Sequence, residues 1–224
     1  MKIFFFIILA FYSGADILSA PLVPHFDSKA QNRVLDAAQK IFDQLDISYA
    51  YGGYKLGTPG DCSLCTACLE KKKPAPKTRF SACSICQKCS LDCSHFVQMV
   101  FKEAGFKSPY LTTKTMLSLG GLELMNKYHL VDLGKAISQI RAGDLVVYRD
   151  HVALLTRIYP KGYANVVHAT GGRDIRAPGQ GVQKERMILV ESFRGPLLRI
   201  LRHKSLVNRL PVKGKPRIKP VPKK

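Results

Sequence analysis

Two copies of one cysteine pattern stand close together, Cys62-x-x-Cys65-x-x-Cys68 and Cys83-x-x-Cys86-x-x-Cys89, and a seventh cysteine, Cys93, follows them. No other feature restricts the fold of this chain so strongly. Six crowded thiols call for disulfides or a metal, and the odd one is left over. Three-residue spacing lines each triplet along one side of a helix. If the two segments form a helical hairpin, antiparallel nesting pairs Cys62 with Cys89, Cys65 with Cys86, and Cys68 with Cys83. Other connectivities are open to six cysteines. A metal is the competing reading. The run Cys83-x2-Cys86-x2-Cys89-x3-Cys93 has the spacing of an iron–sulfur half-motif, and structural zinc sites use C-x2-C pairs. Against a cluster, the first triplet lacks a fourth cysteine, and Ser94 stands where a proline usually follows. Disulfides rank first, no cofactor is expected, and structural zinc in the insertion stays open.

Disulfides need an oxidising compartment, and the N-terminus predicts one. Residues 1–20 read as a signal peptide: Lys2, an apolar run over 3–12 too short to span a bilayer, then small residues at Ser13, Ala15 and Ala20. The protein is expected to be exported, periplasmic or secreted. Its net charge of +19 implies a polyanionic partner. Export turns that expectation away from nucleic acid. The charge also has addresses. Residues 202–224 carry +9 and residues 69–80 carry +4, which leaves +6 for everything else. The basic segment 202–224 reads as a disordered tail for an anionic wall polymer or a membrane surface.

Between signal and tail, residues 21–201 read as one α+β domain with a cysteine-rich insertion at 61–90. Residues 27–46 and 92–104 have helical apolar stripes, capped by Asp27 or Ser28 and by Asp92. Residues 145–148, 152–158, 165–169 and 187–193 are short β-branched runs separated by turn residues. His25, His129 and His203 show no partner pattern and are expected on the surface of a monomer.

Cys93 is the candidate nucleophile. At the first position of a helix, backbone N–H groups and the helix dipole favour the thiolate. A Cys nucleophile needs a base, and the base needs an orienting partner. His151 opens one predicted strand and His168 closes the next. If Tyr159-Pro160-Lys161-Gly162 turns a symmetric antiparallel hairpin, paired residue numbers sum to 321. His168 then faces Ala153, and His151 is its diagonal neighbour on the same face. A one-residue slip would separate the two rings.

Taken in order, the motifs resemble the NlpC-type cell-wall cysteine peptidases, a branch of the papain-like fold. They are Tyr49-Ala50-Tyr51-Gly52-Gly53, the Asp92-Cys93-Ser94 helix, Ala142-Gly143-Asp144, His151-Val152-Ala153-Leu154, and Val167-His168-Ala169. The resemblance implies N-terminal helices packed on an antiparallel sheet. It implies a Cys93–His151–His168 triad, with Tyr49 and the Cys93 N–H at the oxyanion and Asp92 and Ser94 contacting substrate. It further implies hydrolysis of peptidoglycan stem peptides, commonly at a D-γ-glutamyl–diamino acid bond. Amidase, deamidase or acyltransferase chemistry of the same fold on a non-wall substrate, and a non-catalytic cationic wall-binding module, are the alternative readings.

Three departures mark this chain. His95 stands where the family usually has glycine. Ser108-Pro109-Tyr110 replaces a Leu-Pro-Arg stretch and lacks the arginine. The family's Asp-Cys-Ser lies a few residues after its Gly-Gly, which makes Cys62 a rival nucleophile here. An amphipathic core helix follows Cys93 and does not follow Cys62, so Cys93 is preferred.

Overall fold

A computed structural model describes residues 26–44, 47–72, 79–171 and 181–207. The expected signal peptide, the middle of the basic loop and the chain beyond residue 207 lie outside them. Helix α1 (Ser28–Gln44) begins where Asp27 Oδ1 accepts the Ala30 N–H at 2.9 Å. This is an N-cap bond, satisfying one of the free amides of the first turn. Its stripe of Ala30, Val34, Ala38 and Ile41 is buried.

The chain then forms β1 (Ser48–Tyr49), β2 (Tyr54–Lys55), α2 (Pro59–Lys72), α3 (Arg79–Ala82), β3 (Ser90–Leu91) and α4 (Cys93–Glu103). Strand β3 pairs in parallel with β1 and antiparallel with β2. This small sheet explains the long gap between the Gly-Gly and Asp92. The Asp92 N–H donates to the Gly53 carbonyl at 3.0 Å. A Cβ on Gly53 would come within 2.8 Å of the Ser90 backbone, so only glycine permits that crossing. The insertion leaves and returns between two segments that are spatial neighbours.

Helix α4 packs on α1 and on two strands of the main sheet. The remaining elements are α5 (Thr113–Ser118), α6 (Gly121–Tyr128), β4 (Leu130–Asp132), β5 (Leu145–Val147), β6 (Val152–Ile158), β7 (Tyr163–Thr170), β8 (Gly181–Leu189) and β9 (Arg199–His203). The sheet is antiparallel, in the order β4-β9-β5-β6-β7-β8. Val147, Val152, Leu154 and Val167 join the helix-side core. Val146, Ala153, Leu155 and Val166 form a second core with Tyr148 and Ile200. Both faces of the central strands are covered, so β5 to β7 read as apolar runs and not as alternating strands. The fold is the expected α+β arrangement of helices on an antiparallel sheet.

In the insertion, the disulfides are Cys62–Cys89, Cys65–Cys86 and Cys68–Cys83. This is the nested pairing. The hairpin differs in one arm: Cys86 of the second triplet lies in a 3₁₀ segment, Ser84–Lys88, and Cys83 and Cys89 flank it as caps with non-helical backbone. All three still face α2, since each is bonded to one of its cysteines.

Two expectations fail at the C-terminal end. The tail does not begin at residue 202. Arg202 lies in β9, and its guanidinium grips the fully buried Asp144 at 2.7 and 2.8 Å. Leu206, in a following 3₁₀ turn, is also fully buried. His203 is not a surface residue. It is 1% exposed, stacks on Phe101 and Phe106, and holds the Lys107 carbonyl at 2.9 Å through Nε2. A run of basic residues looks solvated in sequence, but here an ion pair and an aromatic stack take two of its members inside. The last expected strand is also displaced: β8 ends at Leu189, and the next residues turn.

Candidate active site

Cys93 opens α4 as expected. Asp92 caps the helix, its Oδ1 accepting the His95 N–H at 2.7 Å. The other six cysteines are oxidised, which removes Cys62 as a rival and leaves Cys93 as the free thiol. Cys93 is 7% exposed. Burial pushes its thiol up to about 11; hydrogen bonds from the Val152, Ser94 and Cys93 backbones pull down, and the Asp92 charge pushes up. The helix-terminus effect expected from sequence is thus outweighed by desolvation. The Val152 contact is informative about place, because it sets the sulfur against the residue that follows His151.

The two histidines meet. His151 Nε2 and His168 Nδ1 are 2.6 Å apart, with rings nearly perpendicular. Leu154 pairs with Val167 and Leu155 with Val166, the register that sums to 321. The turn itself is asymmetric. Arg157 pairs with Asn165 and Ile158 with Ala164, one residue out of step, and a bulge between Leu155 and Arg157 restores the phase. The expected register therefore holds at the histidines, while the symmetric loop that predicted it does not form. Burial lowers the pKa of both rings, with Arg194 opposing a positive charge on each and His168 also opposing one on His151. The resting site holds a neutral thiol and two neutral imidazoles.

Ser94 Oγ donates to Asp92 Oδ1 at 2.8 Å and lies 3.2 Å from the Tyr110 hydroxyl. His95 uses Nδ1 to reach Asp92 Oδ1 at 3.1 Å and stacks on Tyr110 with centroids 3.8 Å apart. The two departures, His95 and Tyr110, are thus one stacked plate beside the helix mouth. Tyr49 lies in β1, half-buried. A Cβ on Gly171 would fall 2.1 Å from its ring, so the chain after β7 runs against this tyrosine. Cys93, Asp92, Ser94, His151 and His168 are linked by these elements, and Tyr49 stands one strand away from Asp92 through the β1–β3 pairing.

Sequence reasoning missed the second partner of His168. Its Nε2 lies 3.1 Å from Glu185 Oε1, and Arg194 donates to the same oxygen at 2.9 Å. Phe193 covers both imidazoles. The acidic residue in β8 was invisible because that strand was expected to start later. Among the described residues, no group of three or more His, Cys, Asp or Glu side chains is arranged to hold a metal ion.

No curated protein matches the chain. Several solved structures resemble it. The peptidoglycan hydrolase RipB from Mycobacterium tuberculosis is 17% identical, with 81% of this chain and 68% of that chain covered, at a TM-score of 0.45. An NLP/P60 family protein similar to lipoprotein, from Staphylococcus aureus, is 17% identical over 85% of this chain and 46% of that chain, TM-score 0.43. RipD from Mycobacterium tuberculosis, a non-catalytic NlpC/p60 domain protein, is 17% identical over 75% and 96%, TM-score 0.40. The NlpC/P60 family model matches residues 77–192, which span the free cysteine, both paired histidines and Glu185. By that match over half its length, with the helix-borne cysteine and the histidine hairpin inside it, the chain belongs to the NlpC/P60 family.

Proposed function

We propose that this protein is an exported cysteine endopeptidase of peptidoglycan stem peptides, cutting the D-γ-glutamyl–diamino acid amide. The observation that carries this reading is the 2.6 Å contact between His151 Nε2 and His168 Nδ1. It occupies one nitrogen of His151 and leaves Nδ1 for the thiol. The Cys93 sulfur attacks the amide carbonyl while His151 takes its proton. The Cys93 N–H and the Tyr49 hydroxyl stabilise the oxyanion. His151 then protonates the leaving amine, and water hydrolyses the thioester by the same route. Asp92 and Ser94 hold the substrate's free amine. A proton that moves during attack suits a site whose thiol and imidazole both rest neutral.

Export is supported by the three disulfides. Residues 1–20 serve as the signal, and the basic segment beyond residue 207 associates with anionic wall polymer. The enzyme works as a monomer and without a cofactor. The test is digestion of purified muropeptides by residues 21–224 and by Cys93→Ala, read by mass spectrometry. We expect a stem-peptide cut that Cys93→Ala loses entirely. Cleavage persisting in Cys93→Ala would overturn the nucleophile, and no cleavage by either protein would overturn the peptidase.

A further inference from the structure

We propose that Glu185 is a positioning residue that sets the proton on both imidazoles, held in place by Arg194. This rests on the peptidase reading for its catalytic consequence, though not for its geometry. Strand pairing explains why Glu185 can do it. His168 lies opposite Gln183 and Val166 opposite Glu185, so Glu185 is the diagonal neighbour of His168 on the same sheet face. Its Oε1 reaches His168 Nε2 at 3.1 Å. A carboxylate only accepts, so His168 must carry its proton on Nε2. Its Nδ1 is then a bare lone pair facing His151 Nε2 at 2.6 Å. That contact requires the proton of His151 on Nε2 as well. The remaining nitrogen, His151 Nδ1, is left unprotonated, which is the form a base needs. A neutral imidazole has one donor and one acceptor, so one acceptor at Glu185 dictates every position along the line.

Arg194 fixes the acceptor. Its guanidinium binds the same Oε1 at 2.9 Å and lies over the Phe193 ring at 5.0 Å. Phe193 in turn packs on both histidines. His168 is fully buried, while the Glu185 side chain is 37% exposed, so the residue can be changed without opening the core.

Removing the acceptor frees His168 to carry its proton on Nδ1. His151 must then accept at Nε2 and protonate Nδ1, the form that cannot take a thiol proton. Glu185→Ala should therefore lower kcat at least 10-fold with KM little changed, as expected for an interaction that matters in the transition state. Glu185→Gln keeps an oxygen acceptor and should restore most of the rate.

The full chain with 15N-labelled histidine gives a readout that a purely structural role would not move. We expect wild type to show Nε2–H on both His151 and His168, Glu185→Ala to show a mixture on both, and Glu185→Gln to return to the wild-type pattern. Arg194→Ala, a change at the surface, should give a partial mixture and a smaller kcat loss. Nδ1–H on His168 in wild type, or unchanged tautomers and kcat in Glu185→Ala, would overturn the proposal. If Glu185→Ala does not fold, wild type and Arg194→Ala still decide it. If wild type cleaves no muropeptide, the peptidase reading fails, and the tautomers still test this one.

Discussion

Residues 59–91 and residues 145–203 are held by different physics. The insertion's own cluster is small: Cys65, Leu69, Cys83 and Cys86, with Cys68 and Ile85 against it. Three disulfides tie it, and it contains no histidine. The sheet region has two aliphatic cores and contains no disulfide, but it buries His168 and His203 and half-buries His151. A segment too small to bury enough apolar surface needs covalent ties, whereas a larger one can bury imidazoles in its packed interior. The two regions should then fail under different insults. Reductant should open the insertion, and acid should open the sheet.

Acid gives the largest expected effect. His203 is lowered to about 4, by burial first, with His129 and Lys204 adding and the Lys107 carbonyl opposing. The unfolded ring titrates near 6.5. The unfolded chain therefore binds the extra proton, and stability rises with pH in this window. The contribution is fully present above pH 6.5 and is lost as pH falls towards 4. For His203 that is about 3 kcal/mol, at 1.36 kcal/mol per unit. His151 and His168 shift in the same direction and add to it. Thermal melts between pH 7 and pH 4 should show the sheet losing several kcal/mol, while non-reducing peptide mapping still finds the three pairs. A flat melting temperature over that range would break the comparison.

Next is Arg202→Ala. Asp144 is fully buried and receives two hydrogen bonds from Arg202 and one from the Arg141 N–H at 2.8 Å. Deleting one partner of a buried pair leaves an uncompensated charge and costs about 3–5 kcal/mol. Denaturant titration should show that loss. A mutant within 1 kcal/mol of wild type would return Arg202 to the solvated tail.

What the sequence revealed follows from how local each signal was. Helix α4 was legible because Asp92 caps it and a buried stripe follows within eleven residues. The nested disulfides were legible because equal spacing leaves nesting as the arrangement that keeps all three pairs in phase. The His151–His168 contact needed a register across a hairpin, which the bulge happened to preserve. Glu185 was not legible, since its partner is fixed by the β7–β8 pairing and no composition signal marks it. Arg202 and His203 were misread for the same reason. Their partners, Asp144 and Phe101, lie far away in sequence, so local charge was the wrong guide.

The smallest effects should separate the three disulfides from one another. Cys62 and Cys89 belong to the main core, beside Leu91 and Cys93, whereas Cys65, Cys83 and Cys86 form the separate cluster, with Cys68 at its edge. A disulfide is typically worth about 2–4 kcal/mol through restriction of the unfolded chain. That value reaches the sheet only if the tie and the sheet unfold together. Replacing Cys62 and Cys89 with alanine should lower the sheet's stability by about that amount, because two buried side chains of the shared core go with the bond. Replacing Cys68 and Cys83 should change it by less than about 1 kcal/mol, since these two cysteines belong to the separate cluster and its edge and not to the core shared with the sheet. Hydrogen exchange on both double mutants tests the gradient: protection in β6 and β7 should fall in the first and persist in the second. Equal losses would mean that the insertion and the sheet form one cooperative unit, and the contrast between covalent and packed regions would hold for composition alone.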